Sequence, residues 1–285
     1  MSLFLDACAA FIDTQPFQVI RISEMTADDR IETLERMKVS PCQNIYSGAK
    51  AFTMTAVGIL CDRGALDVNE RFCDIMKNDL PAGMDPRWET VTVDMLLRHR
   101  AGLPGGFLDI DCNPSPDFTA DFLKFTLQTP LCYTPDEEER YSDGAYYLLS
   151  RVVAKKSGMG LEDLLWQALL EPMGVQEMAF SHCPQGYAVG ATGMYIHSSD
   201  FVKLGWLYLN GGMFRGRRVL SEQWVRTALE REYTFEWDDT HTLFFKGGMH
   251  GQKLMASPGQ HRAVALQSFG ANSNVVADWV KKWED

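Results

Sequence analysis

The sequence predicts an α/β (α+β) fold: one antiparallel sheet built from both chain ends and flanked by helices, with a mostly helical insertion. Strand-like patterns occur near the N-terminus and again in about the last hundred residues, whereas helical patterns and loops alternate between them. No internal repeat, low-complexity tract or linker interrupts the chain. A single domain over residues 1–285 is therefore expected, with an α/β part at 1–46 plus 185–285 and a mostly helical part at 47–184.

The helices are predicted from apolar residues at helical spacing and from residues that favour helix ends. Thr92, Ser142 and Ser221 are typical N-cap residues. Gly64 and Gly158 follow the ends of two helices, where a left-handed backbone favours glycine. In chain order the helices are predicted over residues 3–12, 47–62, 93–99, 142–156, 161–170, 200–209, 221–230 and 275–283.

The strands are predicted from short apolar or alternating runs. They are expected over residues 17–22, 31–36, 242–246, 253–257 and 262–269. Because these runs lie near both ends of the chain, pairing between the two ends would build one sheet.

Composition and charge exclude several classes of function. Hydrophobic residues make up 46% and charged residues 23%, as in an ordinary globular protein. A net charge of −11 disfavours nucleic acid and anionic membrane surfaces as partners. The absence of a secretory signal and of a long apolar segment predicts a cytoplasmic protein without membrane insertion. The 7 cysteines are scattered and lack metal-finger spacing, so reduced core thiols are expected.

The first chemical motif is Ser47, followed three residues later by Lys50. A serine hydroxyl is a weak nucleophile that needs an adjacent base, and residues i and i+3 share one face of a helix. Ser47 also begins the apolar helix, where the helix dipole favours a developing anion. Such a pair is expected about once by chance in a chain of this size, so the motif needs further support.

Tyr141, just before a predicted helix, supplies part of that support. A phenol beside a lysine could relay the proton of Ser47 as a phenolate. The alternative interpretation is an ordinary tyrosine at a helix start, with Ser142 or Asp143 as the cap.

A further element is Lys246-Gly247-Gly248, at the end of a predicted strand. Glycines at a strand edge let a substrate lie against the backbone, and an N–H group there can complete an oxyanion hole. The alternative is a tight connection between strands, with the nearby His250 as a surface histidine.

Taken in this order, the Ser-x-x-Lys, Tyr-x-Asp and Lys-Gly-Gly elements resemble the serine β-lactamase and penicillin-binding-protein superfamily. The resemblance is strongest to class C β-lactamases, D,D-peptidases and related esterases. It extends over roughly residues 40–272 and implies a β-lactamase/transpeptidase-like fold. Further segments that resemble signatures of this superfamily are residues 91–104, 171–174, 192–200 and 210–212.

The resemblance implies a role for each matched residue. Ser47 attacks a carbonyl carbon, Lys50 and Tyr141 share the proton transfers, and water then hydrolyses the acyl-enzyme. Asp143 contacts the substrate or Lys50, and Lys246 holds Tyr141 or a substrate carboxylate. The backbone N–H groups of Ser47 and Met249 form the oxyanion hole, and no metal or cofactor is implied. The substrate-binding and oxyanion candidates are Asp143, Lys246, Gly247, Gly248, Met249 and His250.

Two departures from the family pattern favour its esterase-type branch. Asp143 stands where asparagine is commoner, and Lys246-Gly247-Gly248 lacks the hydroxyl that helps to bind a β-lactam carboxylate. We therefore expect a serine hydrolase that acts on small esters or on peptides containing D-amino acids, without efficient β-lactamase activity. Two alternatives stay open: a penicillin-binding or sensor module acylated without efficient turnover, and a structural protein. The sequence predicts a small-molecule or peptide substrate and no particular oligomeric state.

Overall fold

The computed structural model describes residues 1–113 and 118–284, which form two compact units. The first unit consists of Met1–Gly48, Glu171–Ala179 and Met194–Asp285, and the second of Ala49–Leu170 and Phe180–Gly193. The division expected from the sequence, at 46/47 and 184/185, places residues 171–179 in the helical part. In the structure Glu171–Ala179 belongs to the first unit and leads into one of its strands.

The elements are numbered in chain order. The strands are β1 Val19–Thr26, β2 Ile31–Glu35, β3 Gln43–Asn44, β4 Met178–Phe180, β5 Met194–Ile196, β6 Met213–Phe214, β7 Arg217–Arg218, β8 Glu236–Trp237, β9 Phe244–Gly248, β10 Gln252–Ser257 and β11 Arg262–Ser268. The α-helices are α1 Leu3–Asp13, α2 Ala49–Asp62, α3 Phe72–Met76, α4 Val93–Leu97, α5 Phe122–Gln128, α6 Asp143–Ser157, α7 Leu161–Leu165, α8 Ser198–Leu209, α9 Glu222–Glu230 and α10 Ser273–Lys282. None of the helices in the described part of the chain has both the length and the apolar character of a membrane-spanning segment.

A six-stranded antiparallel sheet with the order β2-β1-β11-β10-β9-β8 forms the centre of the first unit. β1 pairs with β11 from Val19 opposite Ser268 to Thr26 opposite Arg262. The two chain ends thus share one sheet, which confirms the predicted fold class.

Helices cover both faces of this sheet. On one face, α1 and α10 bury a core with the sheet that includes Phe4, Ile22, Val264 and Val276. α8 packs on the opposite face, against β1, β10 and β11. Burial of each large apolar side chain contributes about 1.5–3 kcal/mol, so this double cover stabilises the strands at the centre of the sheet.

A smaller sheet of the first unit, with the order β3-β5-β4, fixes the chain before α2. Gln43 pairs with Ile196, and the N–H of Ile45 donates to the carbonyl of Met194 over 2.9 Å. A 3₁₀ turn, Tyr46–Gly48, follows at once. The 3₁₀ turn is therefore anchored within the first unit by backbone pairing.

The second unit is a helical cluster around α2 and α6. α2 is buried over almost its whole length, and α6 packs against it and against α3, α4 and α5. The Ser142 hydroxyl accepts a hydrogen bond from the Ala145 N–H over 3.3 Å, and Gly158 ends α6 at φ 72°. These are the predicted caps of that helix.

Several predicted bounds differ from the structure. β9 extends to Gly248 instead of ending at Lys246, because two glycines let it continue its pairing with β10. The helix predicted over 93–99 ends at Leu97, since His99 adopts a left-handed φ of 55°. The helix predicted over 161–170 divides into α7 and a π-helical turn, Trp166–Leu170. α8 begins earlier than predicted because the His197 side chain caps it.

Candidate active site

In the first unit, Ser47 lies half-buried in the 3₁₀ turn, which packs against β9. The approach of the two segments is close: a Cβ atom on Gly248 would overlap the carbonyl oxygen of Ile45. Tyr46 has a left-handed φ of 49°, and its N–H donates to the Asn44 side chain over 2.8 Å. Glycine at position 248 therefore lets the backbone before Ser47 touch the end of the strand.

The end of β9 carries the other predicted residues of the first unit. The Lys246 side chain is 6% exposed and lies 3.9 Å from the Glu236 carboxylate. Gly247, Gly248, Met249 and His250 are all half-buried, so the backbone at this end of the strand is accessible to a small molecule. The roles of these residues stay predictions.

In the second unit, Lys50 is fully buried near the start of α2. Its amine lies 2.7 Å from Asp143 Oδ1 and donates to the Ala191 carbonyl over 2.9 Å. The same amine lies 4.6 Å from the centroid of the Tyr141 ring. Lys50 is thus in contact with both Tyr141 and Asp143, although Asp143 lies 93 residues further along the chain, and Lys50 is the partner of Asp143.

The buried ion pair determines the charge state of Lys50. Burial alone lowers the pKa of its amine, but the opposite charge of Asp143, hydrogen bonds to Asp143 and interaction with Tyr141 outweigh burial. The pKa of Lys50 is therefore raised above its ordinary value. The amine is an ammonium ion at neutral pH, which makes it a source of positive charge and not a free base.

Tyr141 is 43% exposed, and His99 holds its segment in place. The two rings lie 4.5 Å apart between centroids. The N–H of Ser142 donates to His99 Nδ1 over 3.2 Å, and the N–H of Arg140 donates to the His99 carbonyl over 2.8 Å. His99 is not among the residues predicted for the site, although it lies inside the 91–104 signature.

Two more carboxylates lie beside Asp143. Asp109, Asp111 and Asp143 bring their oxygens within 4.8 Å of one another, and the Thr192 hydroxyl donates to Asp111. Burial and the neighbouring carboxylates raise the pKa of Asp111, and the Thr192 hydrogen bond opposes this. Such oxygens can bind a cation, but the Lys50 ammonium already neutralises Asp143. No sequence pattern predicts this group, because Asp109 and Asp111 lie in an irregular loop.

Ser47 and Lys50 are joined by continuous helical backbone. Ser47 belongs to the 3₁₀ turn Tyr46–Gly48, and Lys50 is the second residue of α2.

Comparison with known sequences gives a family match. The model of the Beta-lactamase family matches residues 36–280. Penicillin-binding protein 4 of Amycolatopsis lactamdurans is 28% identical over 236 residues, which are 73% of this chain and 61% of that protein. The chain spans less than two thirds of the length of this relative.

Solved structures agree in fold. The penicillin binding protein from Bacillus halodurans superposes with a TM-score of 0.76 at 16% identity, covering 99% of both chains. A family VIII carboxylesterase gives a TM-score of 0.71 at 17% identity, covering 95% of this chain and 94% of its own.

Proposed function

The chain belongs to the beta-lactamase family, and we propose that it is a serine hydrolase that cleaves esters or amides through an acyl-enzyme on Ser47. The observation that carries the proposal is the fully buried Lys50, three residues after the half-buried Ser47 and paired with Asp143 at 2.7 Å. A buried charge is costly, so a lysine in an otherwise apolar helix needs a purpose. Activation of the adjacent hydroxyl is such a purpose.

In the acylation step, Ser47 Oγ forms a bond to the substrate carbonyl carbon. The phenol oxygen of Tyr141 accepts the Ser47 proton while the phenol donates its own proton to the leaving alcohol or amine, as the bond to the leaving group breaks. We assign the proton transfer to Tyr141 because the raised pKa of Lys50 keeps that amine charged. The ammonium would stabilise negative charge that develops on neighbouring oxygens.

The developing oxyanion would accept hydrogen bonds from the backbone N–H groups of Ser47 and Met249. This assignment is supported by the packing of the 3₁₀ turn against β9 and by the close approach of Gly248 to Ile45. Water then attacks the acyl-enzyme, the proton path runs in reverse, and Ser47 is restored. Lys246 would help to orient Tyr141 or a polar group of the substrate.

Among substrates, we propose small esters first and amides of D-amino acids second. Asp143 places a carboxylate beside Lys50, and Gly247 lacks a hydroxyl for a β-lactam carboxylate. The family VIII carboxylesterase among the structural relatives is compatible with this choice. The free state of the cysteines supports the expected cytoplasmic compartment.

The second candidate is a penicillin-binding or sensor module that is acylated but turns over poorly. In this alternative Lys50, and not Tyr141, would have to accept the proton of the deacylating water. The observation that favours it is the raised pKa of Lys50, because an ammonium cannot accept that proton. Under this alternative, substrate would acylate the protein stoichiometrically and then stop.

The test is hydrolysis of a p-nitrophenyl ester, together with intact-mass analysis after a fluorophosphonate, a penicillin or the ester. We expect continuous turnover, a fluorophosphonate adduct on Ser47, and weak or absent turnover of penicillin. Ser47→Ala should lower kcat/KM by roughly 10³-fold or more, because the nucleophile is lost.

Ser40→Ala is the matched control, since Ser40 is an exposed serine just upstream and should be dispensable. A single mass shift without turnover would favour the sensor module. Full activity of Ser47→Ala, or an adduct on another serine, would contradict the assignment of the nucleophile.

A further inference from the structure

Three aromatic rings lie in a row at the end of the large sheet of the first unit, and two of them are stacked. The Phe269 and His250 rings lie 4.5 Å apart between centroids at an interplanar angle of 24°. His250 in turn meets the Tyr46 ring edge-on at 5.1 Å. Phe269 is 72% exposed, so the outer end of the row presents an apolar face to solvent.

The backbone holds this row rigidly. The carbonyl of His250 accepts hydrogen bonds from the Gly270 N–H over 2.9 Å and from the Ser268 hydroxyl over 3.0 Å. Gly251 has a φ of 89°, and a Cβ atom there would overlap the Ala271 carbonyl oxygen. The turn between β9 and β10 is thereby fastened to the chain after β11, so the rings form a preformed platform.

The platform adjoins the residues of the proposed reaction. Tyr46 immediately precedes Ser47, and His250 immediately follows Met249. The centroids of the three rings are spaced 5.1 and 4.5 Å apart, so the row leads from the residue before Ser47 out to solvent. A single exposed phenylalanine needs no explanation, but a row of rings that begins beside the nucleophile does.

We propose that His250 and Phe269 form a stacking subsite for an aromatic ring of the substrate, so that the preferred substrates are esters with an aryl group near the scissile bond. This proposal rests on the proposed function of Ser47. A flat ring fits the occupant because it can stack on an exposed aromatic face and extend the existing row. Neither side chain takes part in the bond-making steps, so both determine specificity.

The test compares the hydrolysis of three esters in a pH-stat. Ethyl acetate has no aryl group, phenyl acetate carries one on the leaving group, and ethyl phenylacetate carries one on the acyl group. We expect the wild type to have a higher kcat/KM for at least one aryl ester than for ethyl acetate, by more than the ratio of the uncatalysed hydrolysis rates of the two esters. Phe269→Ala should lower kcat/KM for that ester by about 3- to 10-fold and leave ethyl acetate within about 2-fold. Phe269→Leu should give an intermediate loss.

Leu3→Ala is the matched control, because it removes another highly exposed apolar side chain from α1. It should change none of the ratios. An unchanged preference in Phe269→Ala, with turnover intact, would refute the stacking subsite and leave the proposed function standing.

A second measurement does not depend on turnover. In the Ser47→Ala protein, titration with ethyl phenylacetate should shift the NMR signals of the His250 ring protons, and ethyl acetate should not. No shift would refute the subsite. Loss of hydrolysis of every ester, with the shift present, would instead refute the proposed function alone.

Discussion

Replacing Asp143 by asparagine should destabilise the protein strongly, because the change removes one charge of a buried ion pair. The Lys50 side chain is 0% exposed, that of Asp143 is 6% exposed, and the two charged atoms lie 2.7 Å apart. Removal of one partner of such a pair costs about 3–5 kcal/mol. The asparagine oxygen can still accept a hydrogen bond from the amine, so we expect the lower end, about 3 kcal/mol.

For a chain of this size, that loss corresponds to a fall in Tm of about 6–12 °C. Urea unfolding and calorimetry would measure it. Asp79→Asn is the matched control, because Asp79 pairs with Lys155 at the same 2.7 Å but with side chains 38% and 36% exposed. An exposed pair contributes little, so this control should stay within about 0.5 kcal/mol.

The pH dependence of the Asp143→Asn effect follows from the raised pKa of Lys50. A raised pKa in the folded state gives stability that is complete below the ordinary lysine pKa and is lost as the pH rises through the raised value. The contribution of the pair in the wild type should therefore be constant from about pH 6 to about pH 9. In the variant, buried Lys50 has no carboxylate partner, so stability should rise as the pH passes the lowered pKa of Lys50, and the difference between the two proteins should shrink. In the variant, burial should lower the pKa of Lys50, so the loss of kcat/KM that follows deprotonation of the Lys50 ammonium should begin at lower pH.

A loss no larger than that of Asp79→Asn would refute this reasoning, because the pair would then contribute as little as a solvated one. A pH profile of kcat/KM that does not move would refute the inference that Asp143 holds Lys50 in its charged form.

Two further outcomes are expected. Gly248→Ala should lower kcat/KM by about 10²-fold and the free energy of unfolding by about 1–3 kcal/mol, because its Cβ would push Ile45 and with it Ser47 away. Gly247→Ala should be active, because the nearest neighbour of its Cβ is 4.0 Å away. Equal activity of the two variants would contradict the close approach of Gly248 to Ile45. Burial raises the pKa of Cys8 and of Cys61 to about 12. Iodoacetamide at pH 8 should therefore modify the exposed Cys132 well before either of them, as measured by peptide mapping. Equally fast modification of Cys8 would contradict its burial.

Much of the fold could be predicted because local sequence signals agree with the tertiary structure. Ser142 and Gly158 mark the two ends of α6, and the apolar run after Ser47 marks α2. The strands β10 and β11 are apolar runs that are buried over their whole length. Very short elements escaped prediction, since the two residues of β3 carry no periodicity and pair only because β5 lies beside them.

The candidate site could be predicted only as separate motifs. Sequence indicated Lys50, Tyr141 and Asp143 but left open whether Asp143 contacts Lys50 or the substrate. The ion pair and the resulting charge of Lys50 required the packing of α2 against α6. His99 escaped because its effect depends on a left-handed backbone and on a ring contact, neither of which has a sequence pattern.

The position of β1 between β2 and β11 has a consequence for synthesis on the ribosome. β1 is translated well before its partner β11. Until then, the hairpin of β1 and β2 exposes one unpaired edge and a face of large apolar side chains, which favours aggregation. A nascent chain stalled before Arg262 should therefore depend on chaperones, and release of the final segment should let the sheet close.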